Sequence, residues 1–303
     1  MDRLDAMRIF TRVIERKNFS AAARDLHLSP SKVTEAVKQL EVRLGVRLIE
    51  RTTRAVRPTP DGEAYHRRCV SILSEVEDAE GAFRGAKPHG PVRMDVQGNL
   101  ARRFLFPGLP DFFAEYPGID LTISETDRFV DPLREGIDCV LRVGAVKDGD
   151  LIARRLAVMQ EVTCCSPGYI RRFGMPERWD RLEGHRMIGF RSSASGAVLP
   201  LEFLVAGEKK IVMLPAVLTV DAAASYSAAA LLGLGLVQAP RYAKEEAFAN
   251  GTLVPVLEET PPSPTPVSLL YPGGRLLSPR VRVVIEWITE RLRTAALGQM
   301  AQP

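Results

Sequence analysis

The chain has 303 residues, 46% of them hydrophobic and 26% charged, with a formal net charge of +4. That balance suits two or three domains with sizeable cores, and no hydrophobic run is long enough for a membrane-spanning helix. The charge is uneven: residues 1–68 hold 15 Lys/Arg against 9 Asp/Glu, so a basic N-terminal module with an expected polyanion partner precedes a slightly acidic body.

Cys69, Cys139, Cys164 and Cys165 form no C-x-x-C pair and no zinc spacing, so neither a metal nor a cofactor is expected. The N-terminus, Met1-Asp-Arg-Leu-Asp5, lacks a signal-peptide core, and a cytoplasmic location is expected.

In chain order, Leu4, Ala6, Met7, Phe10, Val13 and Ile14 predict a first amphipathic helix ending at Arg16-Lys17. A helix pair follows. Ser20 is the expected N-cap of one helix, and Ser29, with Pro30 in the first turn, caps the next. Val33, Val37, Leu40 and Leu44 recur at spacings of four, three and four and share a buried face; Gly45 stops the helix. The opposite face carries Ser31, Lys32, Thr34, Glu35, Lys38 and Gln39, a polar surface of the kind that reads a major groove. Leu48-Ile49 and Ala55-Val56 then read as short strands flanking a polar tip, Arg51-Thr52-Thr53-Arg54, a wing able to set guanidinium groups against phosphates.

Thr59 caps the next helix, with Pro60 at its first position and Asp61 and Glu63 in its first turn. It is expected to run to about Arg84. Tyr65, Cys69, Ile72, Val76, Ala79 and Phe83 form a heptad seam, expected to pair two chains, and Gly85 to Pro91 form a joint.

From Val92 the pattern becomes βαβαβ: strands at 92–96, 119–123 and 137–143 with helices at 101–116 and 130–135. A second α/β unit begins near Val162. It includes a helix at 168–173, a strand at 187–190 and a hairpin over 201–214 turning at Gly207-Glu208. A helix at 222–232, a strand at 234–238, a helix at 241–248 and a strand at 253–257 follow. Pro261 to Pro266 marks a crossing, after which 267–271 returns as a strand to the first unit and 278–293 is helical. Two lobes joined by two crossings leave a cleft whose strand-to-helix turns aim N–H groups at a ligand, and a carboxylate suits them. The candidate residues are Gly98, Asn99 and Leu100 at one turn, with Phe129, and Arg191, Ser192 and Asp221 from the other lobe.

These features together resemble the LysR-type transcriptional regulators. The most specific stretches are Asn18-Phe-Ser-Ala-Ala-Ala23, Leu44-Gly-Val-Arg-Leu-Ile-Glu-Arg-Thr-Thr-Arg54 and Thr59-Pro-Asp-Gly62. Phe112-Phe-Ala-Glu-Tyr-Pro117, Asp131-Pro-Leu-Arg-Glu-Gly-Ile-Asp138 and Ser166-Pro-Gly-Tyr169 extend the likeness into the body. The resemblance implies an α+β two-part chain. A winged helix-turn-helix (1–58) and a linker helix with hinge (59–90) precede a two-lobed effector domain like the periplasmic binding proteins. That domain spans 91–303, with lobe I about 91–161 and 266–303 and lobe II about 162–265. It implies sequence-specific binding of double-stranded DNA controlled by a small effector, with homodimer or homotetramer assembly and RNA polymerase as an open partner. The recognition positions carried over are Pro30, Ser31, Lys32, Thr34 and Lys38, with Arg51 and Arg54 in the wing; Ser20, Glu35 and Thr52 complete the set. Glu35 departs from the family, which commonly carries a basic residue there; a carboxylate can instead accept from a cytosine amino group.

Two other classes are weighed against this reading. An enzyme on the α/β body would need a nucleophile elbow, a phosphate-cradling loop or zinc-spaced ligands, and none is present. His27, His66, His89 and His185 are scattered. A solute-binding protein would need a secretion signal and has no use for the basic head.

Overall fold

The computed structural model describes residues 2–51, 56–82, 87–144, 151–273 and 277–300. Helix α1 (Arg3–Arg16) ends where Lys17 turns left-handed at φ 47°. Helix α2 (Phe19–Asp25) is capped by Asn18, whose Oδ1 accepts from the Ala21 N–H at 2.9 Å. Ser20, the expected cap, lies inside the helix instead: the extended residue is Asn18, so the capping side chain comes two positions earlier. Helix α3 (Pro30–Leu44) starts as expected, with Ser29 Oγ accepting from the Lys32 N–H at 3.3 Å, and stops at Gly45 with φ 71°.

Phe10, Val13, Ala22, Val33, Val37 and Leu40 close the head core. Leu44 is 39% exposed rather than buried, because the turn at Gly45 brings Leu48 and Ile49 back to cover the core in its place. Strands β1 (Ile49–Arg51) and β2 (Val56–Pro58) pair antiparallel, Glu50 opposite Arg57. The wing-tip residues Thr52 and Arg54 lie outside the described residues, as does the side chain of Arg51.

Helix α4 (Pro60–Ala82) is anchored by Thr59. Its Oγ1 accepts from the Gly62 N–H at 2.9 Å and donates to the Arg47 carbonyl at 2.7 Å. A Cβ on Gly62 would fall 1.9 Å from the Leu48 carbonyl oxygen, so only glycine permits this approach of helix to wing. At ~1.5 Å per residue the helix is about 35 Å long.

The body begins with β3 (Gly90–Val96) and α5 (Gly98–Leu100). A π turn (Ala101–Leu105) and a 3-10 turn (Phe106–Gly108) continue the helical path into α6 (Leu109–Glu115). Then come β4 (Ile119–Glu125), α7 (Pro132–Glu135), β5 (Cys139–Val143) and β6 (Leu151–Met159). After β6 the chain crosses at Gln160 into β7 (Glu161–Cys165), α8 (Pro167–Phe173), β8 (Met187–Arg191) and β9 (Val198–Leu199). The hairpin β10 (Leu201–Val205) and β11 (Glu208–Val212) follows, then β12 (Ala216–Val220) and α9 (Ala223–Leu231). Next are β13 (Val237–Pro240), a 3-10 turn (Arg241–Ala243), α10 (Glu245–Ala249) and β14 (Val254–Val256). The chain returns as β15 (Thr265–Pro272) and ends in α11 (Pro279–Met300).

The first lobe is one five-stranded sheet, ordered β4-β3-β5-β15-β6. Its β4, β3 and β5 are parallel, as a βαβαβ unit requires, and the returning β15 runs antiparallel between β5 and β6. Val92, Met94, Val96, Phe104 and Phe112 pack with Val281, Val284, Ile285 and Ile288 of α11. Strand β6 was not expected. Its exposed run of Ala153, Arg154 and Arg155 carries little of the alternation that marks a strand.

The second lobe differs from the doubly wound pattern. Its β7 is flanked antiparallel by β13 and β14. The set β12-β8-β9 joins through a bridge between Met187 and Leu236. The hairpin turns at Ala206-Gly207, one residue early, where φ values of 51° and 82° make the primed turn that a twisted two-residue hairpin needs.

Candidate functional site

Helix α3 has two unlike faces. Val33, Ala36, Val37 and Leu40 are buried, whereas Pro30, Ser31, Lys32, Glu35 and Lys38 are exposed and Thr34 is half-buried. Ser20 on α2 is exposed as well. Among the described residues neither Lys32 nor Lys38 has an ion-pair partner, so both ammonium groups are available to a polyanion. Gln39 Nε2 donates to Glu35 Oε1 at 3.0 Å along the helix, which orients that carboxylate. At the far end of α2, Arg16 grips Asp25 through two bonds of 2.6 and 3.0 Å and holds its carboxyl below the ordinary value, tying α1 to the helix pair.

Glu41 is a positioning residue that periodicity did not single out. Its Oε1 accepts from the backbone N–H groups of Leu48 and Ile49 at 2.8 and 3.1 Å. The carboxylate thus fixes the strand that leads into the wing relative to the helix that carries Lys32 and Lys38.

The seam expected on α4 is divided. Cys69 is fully enclosed by its own head and the Tyr65 ring lies tilted against Phe10 with centroids 5.6 Å apart, so these two serve the intrachain core and are not on a free face. Burial pushes the Tyr65 phenol up to about 12 and the Cys69 thiol up to about 11. The first turns of the helix had to close the three-helix core, which a heptad count cannot distinguish from a chain–chain seam. Ile72 is exposed and Val76 is half-buried; Phe83 and the side chain of Ala79 lie outside the described residues.

In the body, the candidate ligand-binding turns are engaged with their own lobes. Gln97 Oε1 caps the Gly98 turn by accepting from the Leu100 N–H at 3.1 Å. Asn99 Oδ1 accepts from Arg102 Nη2 at 3.2 Å, and Arg102 Nη1 meets Glu125 Oε2 at 2.5 Å. A Cβ on Gly98 would lie 2.5 Å from that same Glu125 oxygen, so an ion pair already covers the turn where a carboxylate was expected. Leu100 is fully buried core rather than a ligand contact, whereas Phe129 is 59% exposed. Arg191 donates to the Gly196 carbonyl at 3.2 Å, and Ser192 Oγ accepts from the Ala194 N–H at 3.2 Å; together they close their own turn.

Asp221 does not cap α9. The N-cap is Ala222, which has no capping side chain, and Asp127 of the other lobe supplies the acceptor: its Oδ2 takes the Ala223 N–H at 2.8 Å. Other polar groups of the body also escaped sequence reasoning. Asp95, buried at the end of β3, pairs with Arg142 of β5, whose Nη1 donates to the Thr126 carbonyl at 2.9 Å and whose Nη2 reaches the Arg128 carbonyl at 2.9 Å. Lys244 is buried, with Nζ on Ser227 Oγ of α9, and burial lowers its pKa. Tyr242 packs against Phe104 with ring centroids 4.9 Å apart. Glu161, at the first crossing, is pushed up to about 7 by burial, against the pull of a Thr265 hydrogen bond and of Lys244. None of these sits in a motif with fixed spacing; tertiary contact alone brings them together.

Comparison with known proteins gives this geometry a lineage. The model of the bacterial regulatory helix-turn-helix proteins of the lysR family matches residues 4–63, and that of the LysR substrate binding domain matches residues 85–293. The chain is 38% identical over 292 residues to the HTH-type transcriptional regulator YhjC of Escherichia coli, covering 95% of this chain and 97% of that protein. It is 36% identical to an HTH-type transcriptional repressor of Pseudomonas aeruginosa, covering 96% and 92%. The solved structure of CrgA, a LysR-type transcriptional regulator from Neisseria meningitidis, superposes with a TM-score of 0.60 at 28% identity, covering 95% of this chain and 98% of that one. With a DNA-binding head and an effector domain both matched in order along nearly its whole length, the chain belongs to the LysR family of bacterial transcriptional regulators.

Proposed function

We propose that the face of α3 formed by Pro30, Ser31, Lys32, Thr34, Glu35 and Lys38 reads operator bases, with Ser20 and the wing residues Arg51, Thr52 and Arg54 on the flanking backbone. The observation that supports this is the division of α3 itself: one face packs the head core, and the other is polar and carries cations without ion-pair partners among the described residues. Arginine and lysine supply salt-dependent attraction to any duplex, and the helix face discriminates among sequences. Paired heads gain from effective concentration, so the chain acts as a homodimer or homotetramer with the C-terminal part of α4, where Ile72 is exposed, at the contact. The head spans 1–58, the linker and hinge 59–90 and the effector domain 91–303, with lobe I about 91–161 and 266–303 and lobe II about 162–265. The effector is a small anion, of which a carboxylate is the simplest, held between the lobes. The protein works in the cytoplasm, beside RNA polymerase, and catalyses no reaction.

Footprinting of the intergenic DNA beside its own gene, at low salt and with candidate carboxylates, tests this reading. Protection of a two-half-site operator whose extent changes with one of the carboxylates is expected. A chain that shifts no promoter fragment at low salt would overturn it.

A further inference from the structure

Helix α9 begins with an N-cap residue, Ala222, that has no side chain able to cap it. Its first N–H is nonetheless taken, 96 residues away in sequence, by Asp127 on the loop that follows β4. Asp127 belongs to the five-stranded sheet side of the cleft and α9 to the other side, so the bond ties one lobe to the other. A carboxylate at the positive end of a nine-residue helix is the interaction that an anionic ligand would make there. A second feature falls within electrostatic reach of the same Asp127 carboxylate. The Tyr242 hydroxyl, on a residue only 5% exposed, has no hydrogen-bond partner among the described residues, and the carboxylates of Asp127 and Glu161 both raise its pKa beyond the effect of burial. A buried donor left without a partner marks a place where a polar atom is accommodated.

We propose that Asp127 is a built-in stand-in for the effector's carboxylate: it occupies the anion seat at the start of α9 and latches the lobes together until a carboxylate ligand takes the Ala223 N–H in its place. This rests on the reading of the body as an effector domain and adds the regulatory step. The seat is private to the cleft because the local residue, Ala222, cannot fill it. Release of Asp127 frees the 126–131 loop, to which Arg142 is bonded through the Thr126 and Arg128 carbonyls, so the change at α9 reaches β5 of the first lobe.

Hydrogen exchange on the full-length chain without DNA tests the latch. In Asp127→Ala the Ala223 amide at the start of α9 is expected to exchange about tenfold faster than in the unaltered chain. Sodium acetate, the probe, is expected to restore slow exchange, whereas sodium chloride at equal ionic strength does not. Exchange in α11 is the internal control for folding; if Asp127→Ala loosens α11 too, Asp127→Leu, similar in size and without an acceptor, is read in its place. Unchanged exchange at Ala223, or a rise on which acetate and chloride act alike, would overturn the proposal. Because no operator is involved, that failure would leave the DNA-binding reading intact, and a failed footprint would leave the latch intact.

Discussion

Glu41 on α3 holds Leu48 at the root of the wing: one carboxylate oxygen accepts the backbone N–H of Leu48 at 2.8 Å and that of Ile49 at 3.1 Å. Helix α3 and the root of the wing are therefore fixed to each other rather than merely joined by a loop. Leu48 also receives the Thr59 N–H on its carbonyl at 3.0 Å, so the start of α4 is tied to the same residue. Glu41→Ala leaves two partly buried backbone donors without an acceptor. Hydrogen bonds to a charged group contribute roughly 1.5–3 kcal/mol, so a loss of about 2 kcal/mol of head stability is expected. Glu41→Gln keeps one acceptor and is expected to lose less. Urea denaturation followed by circular dichroism ranks the three chains; an Ala variant as stable as the parent would remove Glu41 from this role.

The DNA face allows two kinds of contact to be separated. Lys32→Ala is expected to weaken operator binding more than random-duplex binding, by ~1–3 kcal/mol if the ammonium reads a base edge. Arg54→Ala is expected to weaken both DNAs equally and to flatten the dependence of affinity on salt, because the proposed wing contact to a phosphate is lost. Titrations of each variant on operator and random DNA at three salt concentrations measure both effects. Equal losses on the two DNAs for Lys32→Ala would turn it into a backbone contact.

Much of the head was legible because its constraints are local. Ser29 and Pro30 open a helix, Gly45 closes it at φ 71°, and Thr59 and Pro60 open the next, each through a backbone requirement that the residue itself reveals. Ser20 misled because Asn18, two residues before, caps better from an extended backbone, and two capping candidates so close together cannot be ranked by type alone. The α4 seam was half misread because Cys69 satisfies a heptad and a head core equally well. In the body, β3 and β4 followed from apolar alternation and β5 from a short apolar run, whereas β6 and β12 are exposed along most of their length and carry no such signal. The cleft was the least legible part. Asp127, Tyr242 and Lys244 meet α9 or its neighbours only through the tertiary fold, and strand-to-helix turns pointed to Asp221 where the structure uses Asp127.

All four thiols are buried, and burial raises each of their pKa values, to about 11 for Cys164 and about 12 for Cys165. The thiolate is the reactive form, so the native chain is expected to resist a disulfide thiol reagent at pH 7.5 and to release four equivalents in denaturant. Absorbance titration of the folded and unfolded chain checks this. Fast reaction of one thiol in the native chain would show that one of the four sites opens.

Glu161 makes stability depend on pH in a calculable direction. Its carboxyl titrates near 7 in the folded chain instead of 4.5, chiefly because burial disfavours the charge; Glu202 adds to the shift, while Thr265 and Lys244 oppose it. Between about pH 4.5 and 7 the folded chain therefore binds more protons at this site than the unfolded chain does. Stability contributed by the neutral acid is fully present below the unfolded value and is lost as pH rises through the folded one. A shift of this size corresponds to roughly 3–4 kcal/mol at most, since one pKa unit is roughly 1.4 kcal/mol. Glu161→Gln keeps an acceptor for Thr265 and carries no charge, so it is expected to match the parent near pH 5 and to exceed it at pH 7.5. Denaturation midpoints of both chains at pH 5, 6, 7 and 7.5 decide the matter: curves that stay parallel across this range would mean that Glu161 is already ionised in the folded hinge and that the pH response lies elsewhere.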